Sequence, residues 1–273
     1  MKPTRREFAA AAAGALMAAP LGLPIGCQTY PVRKAIEADF DGALRQLAAA
    51  GFQAIELCSP HGYIKEGFGA LADQDPREVR RRIEAAGLRC ESSHYKPAEF
   101  QPDAIGRTIE YARGLGLKQM VLATFSLRNA TLERWIARAG EINRAAEEIH
   151  KAGMQTIFHN HNVEFEKLDG ALIYDRLLAE LDPKLVKMQF QVWVVSMGVD
   201  PVATLRKLGN RAASLHLQDY DPATKGMTAI GKGSIDWKVL FGVAREAGVK
   251  NYFVEMDLPL MEASVPFLRR LRS

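Results

Sequence analysis

Cysteine is scarce in this 273-residue chain. Cys27, Cys58 and Cys90 are too few, and odd in number, for a disulfide framework even in an oxidising compartment. No C-x-x-C suggests a redox site, and each cysteine lies in or beside an apolar run, so all three read as buried small hydrophobes. An excess of one charge is also missing. The chain has 36 Lys and Arg against 32 Asp and Glu, a formal +4. Lys2, Arg5 and Arg6, less Glu7, account for half of that surplus. No basic stripe remains to track a phosphate backbone, which excludes nucleic acid as a partner. The apolar N-terminal stretch is too short to span a membrane comfortably. Behind it no linker, compositional break or interaction tail divides the chain.

What is there begins with MKPTRREFAAAAAGALMAAP, a basic start followed by an Ala-rich apolar stretch ended by Pro20. It reads as a targeting leader over 1–23. TRREF, Thr4 to Phe8, resembles the twin-arginine export signal, which implies the twin-arginine export machinery as a partner and a periplasmic or otherwise exported location. No good A-x-A precedes Pro20, because Leu16 or Met17 falls at the upstream small-residue position. The membrane is therefore a partner only if the leader stays uncleaved.

From residue 24 onward, short apolar runs alternate with amphipathic stretches. The runs are 24–30, 53–59, 88–95, 118–125, 154–160, 186–195, 213–219 and 251–257. Helical spacing covers 39–51, 77–87, 131–153 and 236–248, and Gly51, Gly87, Gly153 and Gly248 stand where helices stop. Repeated strand-then-helix units with near-continuous apolar strands predict an α/β fold, a single closed (β/α)8 TIM barrel over 24–273. A doubly wound open sheet would carry a Gly-rich phosphate turn after the first strand, and CQTYPVRK has no glycine.

In such a barrel the reactive groups come from the carboxyl ends of the strands. FHNHNVEFE, Phe158 to Glu166, looks like a strand leaving the core and entering a site, with His159 and His161 on one face and Asn160 on the other. The sixth run offers Gln189, Gln191 and Trp193 on one face, the seventh His216, Gln218 and Asp219, and the eighth Glu255 and Asp257, while earlier runs add Tyr30, Glu56 and His94. Imidazoles and carboxylates gathered at one mouth suit a divalent cation, which would polarise a carbonyl or hydroxyl while a neighbouring group moves the proton.

GCQTYPVR, GFQAIELCSPHGY, FHNHNVEFE, LHLQDYD, GKGSIDW and YFVEMD, in this order, resemble landmarks of the sugar isomerase/epimerase family with a xylose-isomerase-like barrel. The resemblance runs from Ile25 to Asp257. It implies a divalent metal (Zn, Mn, Co or Mg), a small carbohydrate substrate, and isomerisation or epimerisation next to a carbonyl. Carried over by position, the metal set is His159, Gln191, His216 and Glu255, with Glu255 and His159 catalytic. Tyr30, Glu56, His94, Asn160, His161, Trp193 and Asp219 are the substrate contacts. Two positions depart from the family pattern: His159 stands where a Glu is usual and Gln191 where an Asp is usual. The set then supplies one formal negative charge where three are usual, which shifts preference toward imidazole-loving ions such as Zn. With one glutamate gone, a lyase acting on keto-sugars or keto-glycosides is the first alternative, and a sugar-binding protein with a decayed metal site the second. GMTAIGKGS, Gly226 to Ser234, falls one residue short of a P-loop and reads as a Gly-rich loop beside the substrate, with Lys232 as a hydroxyl or carboxylate contact.

Overall fold

The computed structural model describes residues 19–271. The twin-arginine motif lies outside the described residues. Residues 19–23, counted with the leader on sequence grounds, lie against the barrel: Ala19 and Pro20 are buried and Tyr252 donates to the Leu23 carbonyl.

Eight parallel strands close on themselves: β1 (Gly26–Gln28), β2 (Ala54–Cys58), β3 (Arg89–Tyr95), β4 (Gln119–Leu122), β5 (Gln155–His159), β6 (Val186–Gln191), β7 (Ala212–Leu217) and β8 (Asn251–Val254). Gly26 of β1 lies opposite Phe253 of β8 and completes the ring. The predicted closed barrel is thus the observed fold. Side chains alternate across each strand. Ile55, Leu57, Phe158, Phe190, Leu215 and Leu217 face outward into one apolar layer with helix residues such as Leu44, Val79, Ile142 and Leu240. The opposite faces carry Gln28, Glu56, Ser92, His94, His159, Gln189, Ser214 and His216, all buried inside the barrel.

Helices follow the strands as the spacing predicts. The segments Phe40–Ala50, Pro76–Ala85, Leu132–Lys151 and Trp237–Ala247 are helical, started by Asp39, Asp75, Thr131 and Asp236, whose side chains accept backbone N–H bonds. Gly51 and Gly248 close two of them at φ 102° and 77°, where a side chain would be strained. One run ends earlier than its apolar length suggests. β6 stops at Gln191, and 192–195 of the predicted strand belong to a 3-10 turn, Val192–Met197, which carries Trp193 out to the rim.

Two register shifts shape the interior. Between β2 and β3 the pairing steps from Ile55 opposite Cys90 to Glu56 opposite Ser92, leaving out Glu91. Between β6 and β7 it steps from Met188 opposite Ala212 to Gln189 opposite Ser214. Each shift aligns polar interior residues side by side.

Candidate active site at the barrel mouth

The inward faces of β2, β3, β5, β6 and β7 place Glu56, His94, His159, Gln189 and His216 on adjacent strands, so these side chains meet. Gln189 is the hub. Its amide nitrogen donates to Glu56 Oε1 at 2.9 Å and to Ser214 Oγ at 3.0 Å, and its oxygen faces His94 Nε2 at 2.8 Å and His159 Nδ1 at 2.9 Å. An ionised carboxylate only accepts, so the Gln189 nitrogen must point at Glu56 and its oxygen must accept from the two rings. His159 therefore carries its proton on Nδ1. Burial first, then the neighbouring His216 charge, hold this ring well below the ordinary imidazole range, so it stays neutral with a lone pair on Nε2. That Nε2 is buried and has no hydrogen-bond partner.

His216 is in the opposite state. Its Nε2 lies 2.6 Å from Glu56 Oε2 and its Nδ1 lies 2.9 Å from Glu255 Oε2, so both ring nitrogens face carboxylates. Burial opposes its charge, but Glu255 and Glu56 outweigh it and push its pKa up to about 9. Burial would likewise raise both carboxyls, yet the charges and hydrogen bonds of the histidines hold Glu56 and Glu255 below the usual carboxylate range. The result is an imidazolium clamped between two carboxylates. Gln191 and Gln218 also donate to Glu255 Oε2, at 3.4 and 3.1 Å. All three donors hold the same oxygen, so Oε1 is the one left for a ligand.

Above this network lies a cavity of about 260 Å³ whose lining includes Glu255, His94, His159 and His161 together with Tyr30, Tyr63, Glu66 and Lys96. Lys96 pairs with Glu66 and lies 4.6 Å over the Tyr63 ring. Burial, then a hydrogen bond to Glu66, raises the Tyr30 phenol, which keeps its proton available for donation. A separate cavity of about 610 Å³ behind Lys96, around His61, Glu99 and Tyr111, takes no part in the interior network.

The structure brings most of the sequence-predicted residues together, but in layers. His94, His159, His161, Glu255 and Tyr30 line the cavity, whereas Glu56 and His216 are fully buried beneath it. Gln191 and Trp193 line an adjoining space. Three predicted contacts sit elsewhere. Asn160 points away from the mouth and accepts from the Gln191 backbone N–H at 3.1 Å. Asp219 is buried, and its two oxygens accept from the backbone of Tyr220, Gly231, Gly233 and Ile235 and from Trp237 Nε1. It anchors the Gly-rich loop, and a Cβ on Gly233 would come within 2.2 Å of its carboxylate. Lys232 is exposed on that loop and lines neither cavity at the mouth.

The sequence reading placed Gln189 on the inward face of its strand but gave it no role, and it missed Lys96, Glu66 and Tyr63. Lys96 follows Ser92 and His94 at period two, so alternation alone could have found it. Glu66 and Tyr63 lie on the loop after β2, where no periodicity marks them.

A metal was expected on His159, Gln191, His216 and Glu255. Nitrogens of His94, His159 and His216 lie within 4.8 Å of one another, which makes His94 a third imidazole donor beside the expected set. The unpartnered lone pair of His159 and the ionised Glu255 suit a cation. His216 could join them only by giving up a proton.

A model of the xylose isomerase-like TIM barrel matches residues 44–271. An inosose dehydratase of Geobacillus thermodenitrificans (strain NG80-2) is 24% identical over 256 residues, covering 80% of this chain and 82% of that protein. A solved sugar phosphate isomerase/epimerase from Parabacteroides distasonis ATCC 8503 is 26% identical, with a TM-score of 0.75, covering 90% of this chain and 93% of the other. A xylose isomerase-like TIM barrel protein from Mycobacterium smegmatis, solved in complex with magnesium, shares the fold at 14% identity and a TM-score of 0.67, over 91% of this chain and 96% of the other. With the closed barrel, its polar interior and this match across most of its length, the chain belongs to the xylose isomerase-like TIM barrel family.

Proposed function

We propose that this chain is an enzyme that removes water from a small polyhydroxylated ketone, a keto-sugar or keto-cyclitol. The observation that carries this reading is the asymmetry of the mouth. Glu255 is held ionised by His216 with one oxygen free, and the group that ends β5 in the same cavity is a neutral imidazole. Epimerisation needs a proton acceptor and donor on opposite faces of one carbon, whereas elimination needs one base and one acid at neighbouring carbons.

Glu255 Oε1 takes the proton next to the carbonyl. The electrons of that C–H bond form the new C=C bond as the C–O bond at the next carbon breaks. Lys96 or Tyr30, both lining the same cavity, protonates the departing hydroxyl, and water leaves. His216 fixes Glu255 in place, and Gln189 keeps His159 neutral and oriented. An ion, where present, would be held by the free His159 Nε2 with His94 or Gln191, which leaves Glu255 Oε1 as the base and His216 protonated beside it. It would supply Lewis-acid polarisation of the substrate carbonyl, and the imidazole-rich set favours Zn over Mg. The inosose dehydratase relative supports the reaction class. The twin-arginine-like leader supports an exported enzyme that meets unphosphorylated sugars, which fractionation of the native chain would check.

Isomerisation or epimerisation is the second reading. It rests on Glu66, a second carboxylate lining the same cavity, whose pairing with Lys96 ties it to the group that serves elimination as the acid. Incubation of an inosose and a keto-glucose with the purified full chain in D2O, followed by NMR, separates the two. Elimination predicts an unsaturated product one water lighter. Products that all retain their oxygens would sink the dehydratase reading in favour of the epimerase one.

A further inference from the structure

The cavity over Glu255 has a larger neighbour. Thr124 and His161 line both. The second space, about 750 Å³, lies between the loop after β4 and the turns following β5 and β6, and its walls include Ser126, Arg128, Asn129, Asn162 and Trp193. Small-molecule sites usually enclose about 300–1,000 Å³. The cavity over Glu255 alone falls just below that range, and the pair together reaches its upper end.

The second space carries groups suited to recognition. Trp193 is held edge-on by Tyr220, with ring centroids 5.7 Å apart, and keeps part of its surface accessible. Asn162 donates to Ser196 Oγ, but its Oδ1 is buried without a partner. Ser126 and Asn129 sit at φ 52° and 54°, a left-handed backbone that non-glycine residues adopt at a cost and that recurs at ligand-binding loops. The Arg128 guanidinium is exposed and makes no ion pair or hydrogen bond among the described residues. An indole face, amide groups and a lone guanidinium match the apolar faces and rim hydroxyls of a sugar ring.

We infer that the substrate is a two-ring glycoside: the ketone-bearing ring lies over Glu255, and the second ring stacks on Trp193 in the adjoining space. Which ring lies over Glu255 rests on the elimination reading above; the existence of the second subsite does not.

Binding without turnover tests it. Trp135 and Trp237 are each 2% exposed, so ligand-induced emission changes in the full chain report on Trp193. Calorimetry gives the affinities for myo-inositol and glucose as one-ring probes, for cellobiose, maltose and trehalose as two-ring probes, and for glucose 6-phosphate. At least one disaccharide is expected to bind about tenfold tighter than either single ring, as a stacking contact of about 1.4 kcal/mol gives. Trp193→Phe keeps most of that advantage and Trp193→Ala removes it. Arg128→Ala, on an exposed loop, provides a second variant that weakens disaccharides more than single rings. Equal binding of one-ring and two-ring probes, tighter binding of glucose 6-phosphate than of every disaccharide, an advantage that survives Trp193→Ala, or no binding of any probe would each overturn the inference. A disaccharide that binds as expected while no ketone loses water would leave the subsite standing and remove only the elimination reading.

Discussion

The two faces of the same strands do opposite work. On β5, Phe158 points outward into methyl and aromatic neighbours, and the next residue, His159, points inward to an amide oxygen. The outer face is held by contacts that are numerous, weak and non-directional. The inner face is held by a few directional hydrogen bonds, each fixing the protonation of the next. Outer side chains should therefore set how stable the barrel is, and inner ones what it does.

The largest expected effect lies inside. Glu255→Gln removes the free carboxylate oxygen, and turnover of whichever ketone the chain converts should fall by about 10²–10⁴-fold, as loss of a general base does. Steady-state rates measured beside a urea titration would show activity lost far out of proportion to stability. A variant that keeps more than a tenth of the rate would blur the division between the faces and remove Glu255 as base.

Phe158→Ala is the outward counterpart. Deleting a fully buried ring next to Phe125 should reduce unfolding free energy by about 3–5 kcal/mol. The fraction still folded should bind two-ring ligands as before. Affinity that collapses together with stability would mean that the outer layer also tunes the site.

Glu164 provides a pH test at the border between the faces. Burial pushes its carboxyl up to about 8, although it accepts the His161 backbone N–H. The folded state thus binds a proton that the unfolded state releases near the ordinary glutamate value of 4.5. The stability contribution is complete below that lower value and is lost as pH rises to about 8, at a slope of about 1.4 kcal/mol per pH unit. Unfolding free energy measured between these limits should show this slope in the wild type and a flatter profile in Glu164→Gln. Parallel profiles would mean that Glu164 is ionised in the folded protein.

The smallest effect should come from Ile55→Val, which trims one methylene from the outer layer and should lower stability by about 0.5–1.5 kcal/mol, read from the urea midpoint. A larger loss would show that β2, beside its register shift, tolerates less repacking than the other strands.

How much of this was legible in the sequence follows the same division. Outer faces announce themselves because burial against helices demands apolar residues at period two, and the glycine stops at Gly51 and Gly248 mark where each unit ends. Inner faces were legible as polar interruptions: His94, His159, His216 and Glu255 stood out for that reason. Their partners did not. Gln189 reads as one more polar residue until the shift at Met188 sets it opposite Ser214. Asp219 and Asn160 looked like ligand contacts because a carboxylate or amide at a strand end has the same letters whether it meets a substrate or a backbone N–H. Only the fold of the 229–237 loop decided for Asp219.

The Gln189 amide has a consequence for how this interior can change over generations. Turning the amide around would aim N–H at two ring N–H groups and oxygen at a carboxylate, so Glu56, His94 and His159 all depend on one orientation. Drift acting on one of these positions at a time meets a broken partner at every step, whereas the outward methyl groups can be exchanged singly. A lineage built on this barrel would keep its interior for long periods and then replace it as a block, while the surrounding apolar shell diverges continuously.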